Sequence, residues 1–129
     1  MGIIYKEIEI EGKPVNLKVD TGSDFALSLK REIIEELKLQ KHPKTYALLK
    51  TEEGDKKSPV YLARIKISSC EFGAPQLVVE AFGEDNLLGH PILQALGAKV
   101  DEEKEIVIFD MQKCPKGIKG GITGKIRQI

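Results

Sequence analysis

The chain has 129 residues, 41% of them hydrophobic, enough for one modest core and too few residues for two domains. Its 20 basic and 20 acidic residues cancel to a formal net charge of zero, and 5% of residues are aromatic. That balance excludes a nucleic-acid partner held by overall positive charge. The charges are uneven, however. Residues 1–111 carry 20 acids and 15 bases, whereas the last 18 residues hold five bases (Lys113, Lys116, Lys119, Lys125 and Arg127) and no acid. The division expected is a folded domain over 1–111 and a basic, Gly-rich tail over 112–129, read as a solvated or interface segment rather than an arm for an anionic partner.

The start, Met1-Gly2-Ile3-Ile4-Tyr5-Lys6, has no apolar run of signal-peptide length, and no stretch reaches membrane-spanning length. Lys6 stands where a myristoylation pattern wants Ser or Thr. The expectation is a cytoplasmic protein in which Cys70 and Cys114, at no metal-binding spacing, remain reduced thiols. Its richness in Lys, Glu and Ile is a feature of heat-adapted proteins.

Ile8 and Ile10 alternate with Glu7, Glu9 and Glu11, which predicts a strand with one wet face. Gly12-Lys13-Pro14 breaks it, and Val15, Leu17 and Val19 alternate with Asn16, Lys18 and Asp20 as the return strand of a hairpin. The turn Thr21-Gly22 follows, then a short strand over Phe25–Leu29. From there Leu29, Ile33, Ile34 and Leu37 share one helical face opposite Lys30, Arg31, Glu32, Glu35, Glu36 and Lys38, with Ser28 as the N-cap.

Two more strands are predicted at 45–50 and 60–67, flanking a polar hairpin tip over Thr51–Pro59. Gln76–Phe82 is another strand, and Leu87-Leu88-Gly89 follows the Gly83-Glu84-Asp85-Asn86 turn. Pro91 at a first helical position and Gly97 just past the end bracket a short helix over Ile92–Leu96. Val100 and Ile106–Phe109 are read as the last core strands, joined by the charged turn Asp101–Glu105. Strand, turn, glycine and helix thus occur twice, around Val19–Gly22 and Leu87–Gly89, which suggests two similar halves folded on each other as a small closed β structure.

The stretch Asp20-Thr21-Gly22-Ser23 carries the chemistry. All four residue types are turn formers, so an ordinary turn after a strand is the plain alternative. What favours a reactive acid is its place at the end of an alternating strand and the answering motif Leu87-Leu88-Gly89-His90-Pro91-Ile92-Leu93. Other chemistries find little support. Gly124-Lys125 lacks the rest of a phosphate loop, neither His42 nor His90 has a metal-binding partner at the usual spacing, and no serine sits in a nucleophile elbow, so no metal or cofactor is expected.

With these two motifs, in this order and with a polar hairpin between them, the chain resembles the retropepsin-like aspartic proteases over roughly residues 5–109. The resemblance implies a mostly β fold, a small closed barrel of the acid-protease type with one or two short helices, in a homodimer. It also implies a peptide or protein substrate hydrolysed by water between two copies of Asp20, one carboxylate ionised and one protonated, because carboxylates that close share a proton, as is well known for this class. Thr21 would bond across the dimer axis, Gly22 would let backbone approach the acids, and Ser23 would sit beside the carboxylate. Asp24 would touch substrate backbone, and Gly54 and Asp55 of the flap would be further substrate-binding residues. Leu88, Gly89 and His90 form the second glycine motif.

Two departures stand out. His90 occupies the place these enzymes usually give to arginine, and is expected either to pair with Asp24 while its imidazole is charged or to rest at the helix start on backbone partners. The flap has Gly54 alone among Glu52, Glu53, Asp55, Lys56 and Lys57, which offers no apolar cover against water. Three readings follow: a dimeric aspartic endopeptidase; a protease-like domain kept as a peptide-binding or dimerisation module; and an unrelated small β domain in which the motif is a turn.

Overall fold

The structure, a computed structural model, describes residues 3–115 and 126–128. Strand β1 (Tyr5–Ile10) and strand β2 (Lys13–Asp20) form the first hairpin, with Ile8 opposite Val15 and Leu17 opposite Lys6. Ile8, Ile10, Val15 and Leu17 are buried, as the alternation requires. The turn is two residues, Glu11 and Gly12, both at positive φ, and the expected break at Lys13-Pro14 is absent because both residues pair with β1.

Strand β3 (Leu27–Leu29) is buried throughout and leads into helix α1 (Arg31–Glu36). Ser28 is therefore a strand residue and not the N-cap. The cap position is Lys30, whose own N–H is taken by Asn86 Oδ1 at 2.8 Å and whose carbonyl accepts from Ile33 and Ile34. Strands β4 (Gln40–Thr51) and β5 (Gly54–Ala63) make a long hairpin. The segment over 51–59 expected as a polar tip is mostly ladder, since pairing continues to Thr51 opposite Gly54. Its polarity misleads because this arm shows water much of its surface, with residues 54–57 all exposed.

Strands β6 (Ile65–Ile67), β7 (Cys70–Glu71), β8 (Gln76–Glu80) and β9 (Leu87–Gly89) complete the main sheet before helix α2 (His90–Ala95). Strands β10 (Lys99–Asp101) and β11 (Ile106–Ile108) form a separate two-stranded sheet. Only part of the core role expected of them is seen: Val107 and Phe109 pack half-buried against the main core, whereas Ile106 is 42% and Ile108 55% exposed. A 3-10 turn (Met111–Lys113) follows, and strand β12 (Ile126–Gln128) pairs antiparallel with residues 45–47 of β4. Residues 116–125 of the expected tail lie outside the described residues.

The order of the ten-stranded sheet is β12-β4-β5-β8-β3-β9-β2-β1-β6-β7. The pairing thus has two ends, where a closed barrel is the sequence expectation. The main core gathers Ile10, Leu17, Leu27, Leu29, Leu88 and Ile92 with their neighbours, and a small second cluster of Ala47, Val60 and Val79 lies beneath the long hairpin. The reduced thiols expected are corrected: Cys70 and Cys114 form a disulfide, with Cα atoms 5.7 Å apart across 44 residues of sequence. Folding brings β7 beside the segment after the 3-10 turn, where Gly73 N–H also donates to the Pro115 carbonyl at 2.9 Å. No helix among the described residues is long and apolar enough to cross a membrane.

Candidate active site

Asp20 is the last residue of β2, and the parallel pairing of β2 with β9 sets it opposite Gly89. The two motifs, 69 positions apart in sequence, are therefore side by side. The Asp20 carboxylate folds back on its own turn. Its Oδ1 accepts from Gly22 N–H at 3.0 Å, and the Asp20 carbonyl accepts from Ser23 N–H at 3.2 Å. The turn is then stitched to the second motif: His90 N–H donates to the Ser23 carbonyl at 2.9 Å and Gly89 N–H to the Ala26 carbonyl at 3.0 Å. Backbone bonds of this kind hold a carboxylate in one place with little help from side chains.

The two glycines differ. A Cβ on Gly89 would collide with the Phe25 carbonyl, so this position needs glycine for close approach. Gly22 is not in the left-handed region, and a Cβ there would meet only Asp20 Oδ1 at an ordinary 3.4 Å. Among the described residues, neither a positive φ nor a close contact requires glycine at position 22 of the turn. Leu88 is fully buried and anchors β9 in the core.

Asp20, Ser23 and Asp24 line a cleft of about 570 Å³, large enough for several peptide side chains. Leu48, Leu49 and Lys50 of β4 form one side, and the run Val79–Asp85 with Leu87 forms the other. Thr21 and His90 line a different concavity with Leu93, Gln94 and Val100. Asp24 and His90, for which either a pair or a helix-start histidine on backbone partners is expected, line different concavities. Gly54, at φ +114, and Asp55 stand where β5 leaves the hairpin tip, outside the cleft lining.

Several lining residues escape sequence reasoning. Phe82, Glu84 and Asp85 read as strand end and turn, yet they form a cleft wall. Asn86 braces that wall: its side chain receives Lys30 N–H and its carbonyl receives Lys18 N–H at 2.8 Å. Arg31 holds Glu80 at 3.2 Å, and Tyr5 donates to Asp85 Oδ1 at 3.1 Å. The Tyr5 phenol is accordingly pushed above its ordinary value, first by that hydrogen bond, then by partial desolvation, then by the charges of Asp85 and Glu84. Phe82 was detectable in principle as a lone large aromatic beside a Gly-acid turn. Among the described residues no three His, Cys, Asp or Glu side chains converge as metal ligands.

The arrangement sets one carboxylate on a backbone-braced turn beside a glycine strand, and comparison with known proteins gives the family and fold that carry it. Residues 6–95 match the family described as "gag-polyprotein putative aspartyl protease". No curated protein matches the chain. Among solved structures, a retropepsin-like aspartic protease from Rickettsia conorii is similar with a TM-score of 0.64 and 22% identity, over 84% of this chain and 82% of that one. The EIAV protease, solved with the inhibitor HBY-793, gives 0.62 and 24%, over 78% and 93%. The retroviral protease-like domain of Ddi1 from Leishmania major gives 0.58 and 13%, over 85% and 90%. At these identities the structures speak for a shared fold, and the family match covers well over half of the sequence. The chain belongs to the retropepsin-like, gag-type aspartyl protease family.

Proposed function

We propose that the protein is a homodimeric aspartic endopeptidase in which Asp20 of two subunits activates a water molecule. One carboxylate, ionised, takes a proton from the water as its oxygen bonds to the scissile carbonyl carbon. The other, protonated, gives its proton to the carbonyl oxygen. Collapse of the tetrahedral intermediate breaks the C–N bond, and a proton passes from the acid pair to the leaving amine. The observation that carries this reading is the Asp20 turn itself: an acid held by backbone bonds, paired across the sheet with Gly89 and lining a peptide-sized cleft.

A second copy is needed because one chain brings one such acid. Gly22 is consistent with the same reading, since nothing among the described residues demands glycine there and close approach of a facing subunit would supply a reason. In this arrangement Thr21 bonds across the axis, Ser23 lies beside the carboxylate, and Asp24 contacts substrate backbone. Cytoplasmic location is part of the proposal; the Cys70–Cys114 disulfide fits it if the source is heat-adapted, since intracellular proteins of such organisms keep disulfides.

The test is cleavage of casein or an unfolded peptide mixture, at acid and neutral pH, by the protein and by Asp20→Asn, with oligomeric state measured alongside. Activity from the dimer that falls at least about a thousandfold in the variant is expected, the scale at which catalytic groups act. A monomer at high concentration, or activity indifferent to Asp20, overturns it. One observation favours a binding module instead: the hairpin tip carries exposed Glu52 and Glu53 and no apolar cover. Peptide bound equally by both proteins, with neither cleaving, selects that reading.

A further inference from the structure

Phe82 lies on the cleft wall with 66% of its surface exposed, so it adds little to the core. A cation already visits its ring. Lys56 Nζ, from β5 on the opposite side, sits 6.0 Å from the Phe82 centroid. Lys56 is directly across the ladder from Leu49, so both side chains project from the same face of the hairpin. Leu49 lines the cleft and packs on the Ala47, Val60 and Val79 cluster. An aliphatic stem and a positive head are therefore laid over an aromatic face by the chain's own lysine.

The surrounding charge has the complementary sign. Among the described lining residues, the acids Asp20, Asp24, Glu80, Glu84 and Asp85 stand against Lys18 and Lys50, with Lys56 over Phe82 and Arg31 on Glu80. Of the three wall acids, Glu80 is held by Arg31 and Asp85 by Tyr5, whereas Glu84 makes no hydrogen bond or ion pair among the described residues. An acidic substrate side chain would be repelled, and a purely apolar one would cover Phe82 while leaving Glu84 without a cation.

Resting on the reading of the cleft as a peptide site, we infer that it selects a peptide with a lysine or arginine side chain, whose head replaces that of Lys56 over Phe82 and lies near Glu84. Phe82 and Glu84 are then the residues that set this preference. Arginine is favoured over lysine, because its planar group stacks on a ring as well as carrying charge. A basic side chain gives the ring a cation in place of Lys56, whereas an apolar one displaces Lys56 and leaves the ring without any, so selectivity arises from the ring together with the added pairing with Glu84.

The experiment uses fluorogenic peptides, identical except at one position that carries Arg, Lys, norleucine or Glu, with that position moved in turn along the peptide. Cleavage by the full chain gives kcat/KM, and fluorescence polarisation gives binding to Asp20→Asn without turnover. At one position Arg and Lys are expected to exceed norleucine by about fivefold, the size of one such contact, with Glu poorest. Added salt should shrink the ratio, and Phe82→Leu and Glu84→Gln should each bring it toward one. Equal or reversed preference at every position, or a preference untouched by both substitutions, overturns the inference and leaves the peptidase reading standing. Arg-selective binding without cleavage supports the inference and removes the peptidase reading. Neither cleavage nor binding of any peptide overturns both.

Discussion

The two glycines of the paired motifs differ in what the fold of this chain demands of them. Gly89→Ala forces a methyl into the Phe25 carbonyl and should destabilise the protein by about 3 kcal/mol or more in urea denaturation, the upper range for overpacking. Gly22→Ala meets only ordinary contact, so its stability at low protein concentration should change by less than about 1 kcal/mol. Its cleavage rate should nevertheless fall at least about tenfold if a facing subunit presses on that turn. Equal stability losses for the two variants would remove the distinction. Asp20 and Gly89 were legible because an alternating strand or an apolar run ends at each. Phe82 and Glu84 were not, since a turn composition hides which way side chains face.

Among the elements, the alternating first hairpin was easy to read and the long second one was not. The β1–β2 pair buries one face, and that leaves a period of two in the sequence. The outer part of β4–β5 is wet, so its ladder leaves no apolar signature and resembles a loop. Ile106–Ile108 is the converse case, an apolar run in a two-stranded sheet that packs Val107 on the core and exposes Ile106 and Ile108. A link between elements is also testable. Tyr5 on β1 is tied to Asp85 on the cleft wall, and its phenol titrates above the ordinary value. The raised value means that the folded protein favours the neutral phenol. The resulting stabilisation is complete below pH 10.0 and is lost as pH rises through the folded value. Ultraviolet titration of Tyr5 in Asp85→Asn should move it back toward 10.0; no movement would show that the bond does not govern it.

At the scale of the whole molecule, the disulfide was invisible to sequence reasoning because two cysteines 44 residues apart reveal nothing of their proximity until the sheet is built. Closing a loop of that length should contribute up to about 4 kcal/mol through the unfolded state. Denaturation with and without reductant, compared with a Cys70→Ser, Cys114→Ser double variant, checks this. Reductant should lower the unfolding midpoint of the natural chain and leave the variant unchanged. Identical midpoints for reduced and oxidised natural chain would mean that the bond carries no stability.

The parallel joining of β2 to β9 also bears on the order of folding. The first hairpin closes over a two-residue turn and can form early, whereas pairing Asp20 with Gly89 requires a large loop to close first. During synthesis the acid emerges long before its partner strand does. A nascent chain ending before residue 87 carries Asp20 but lacks the strand that pairs with it. The geometry built on the Asp20–Gly89 pairing thus waits until residue 89 has left the ribosome, however early the first hairpin closes.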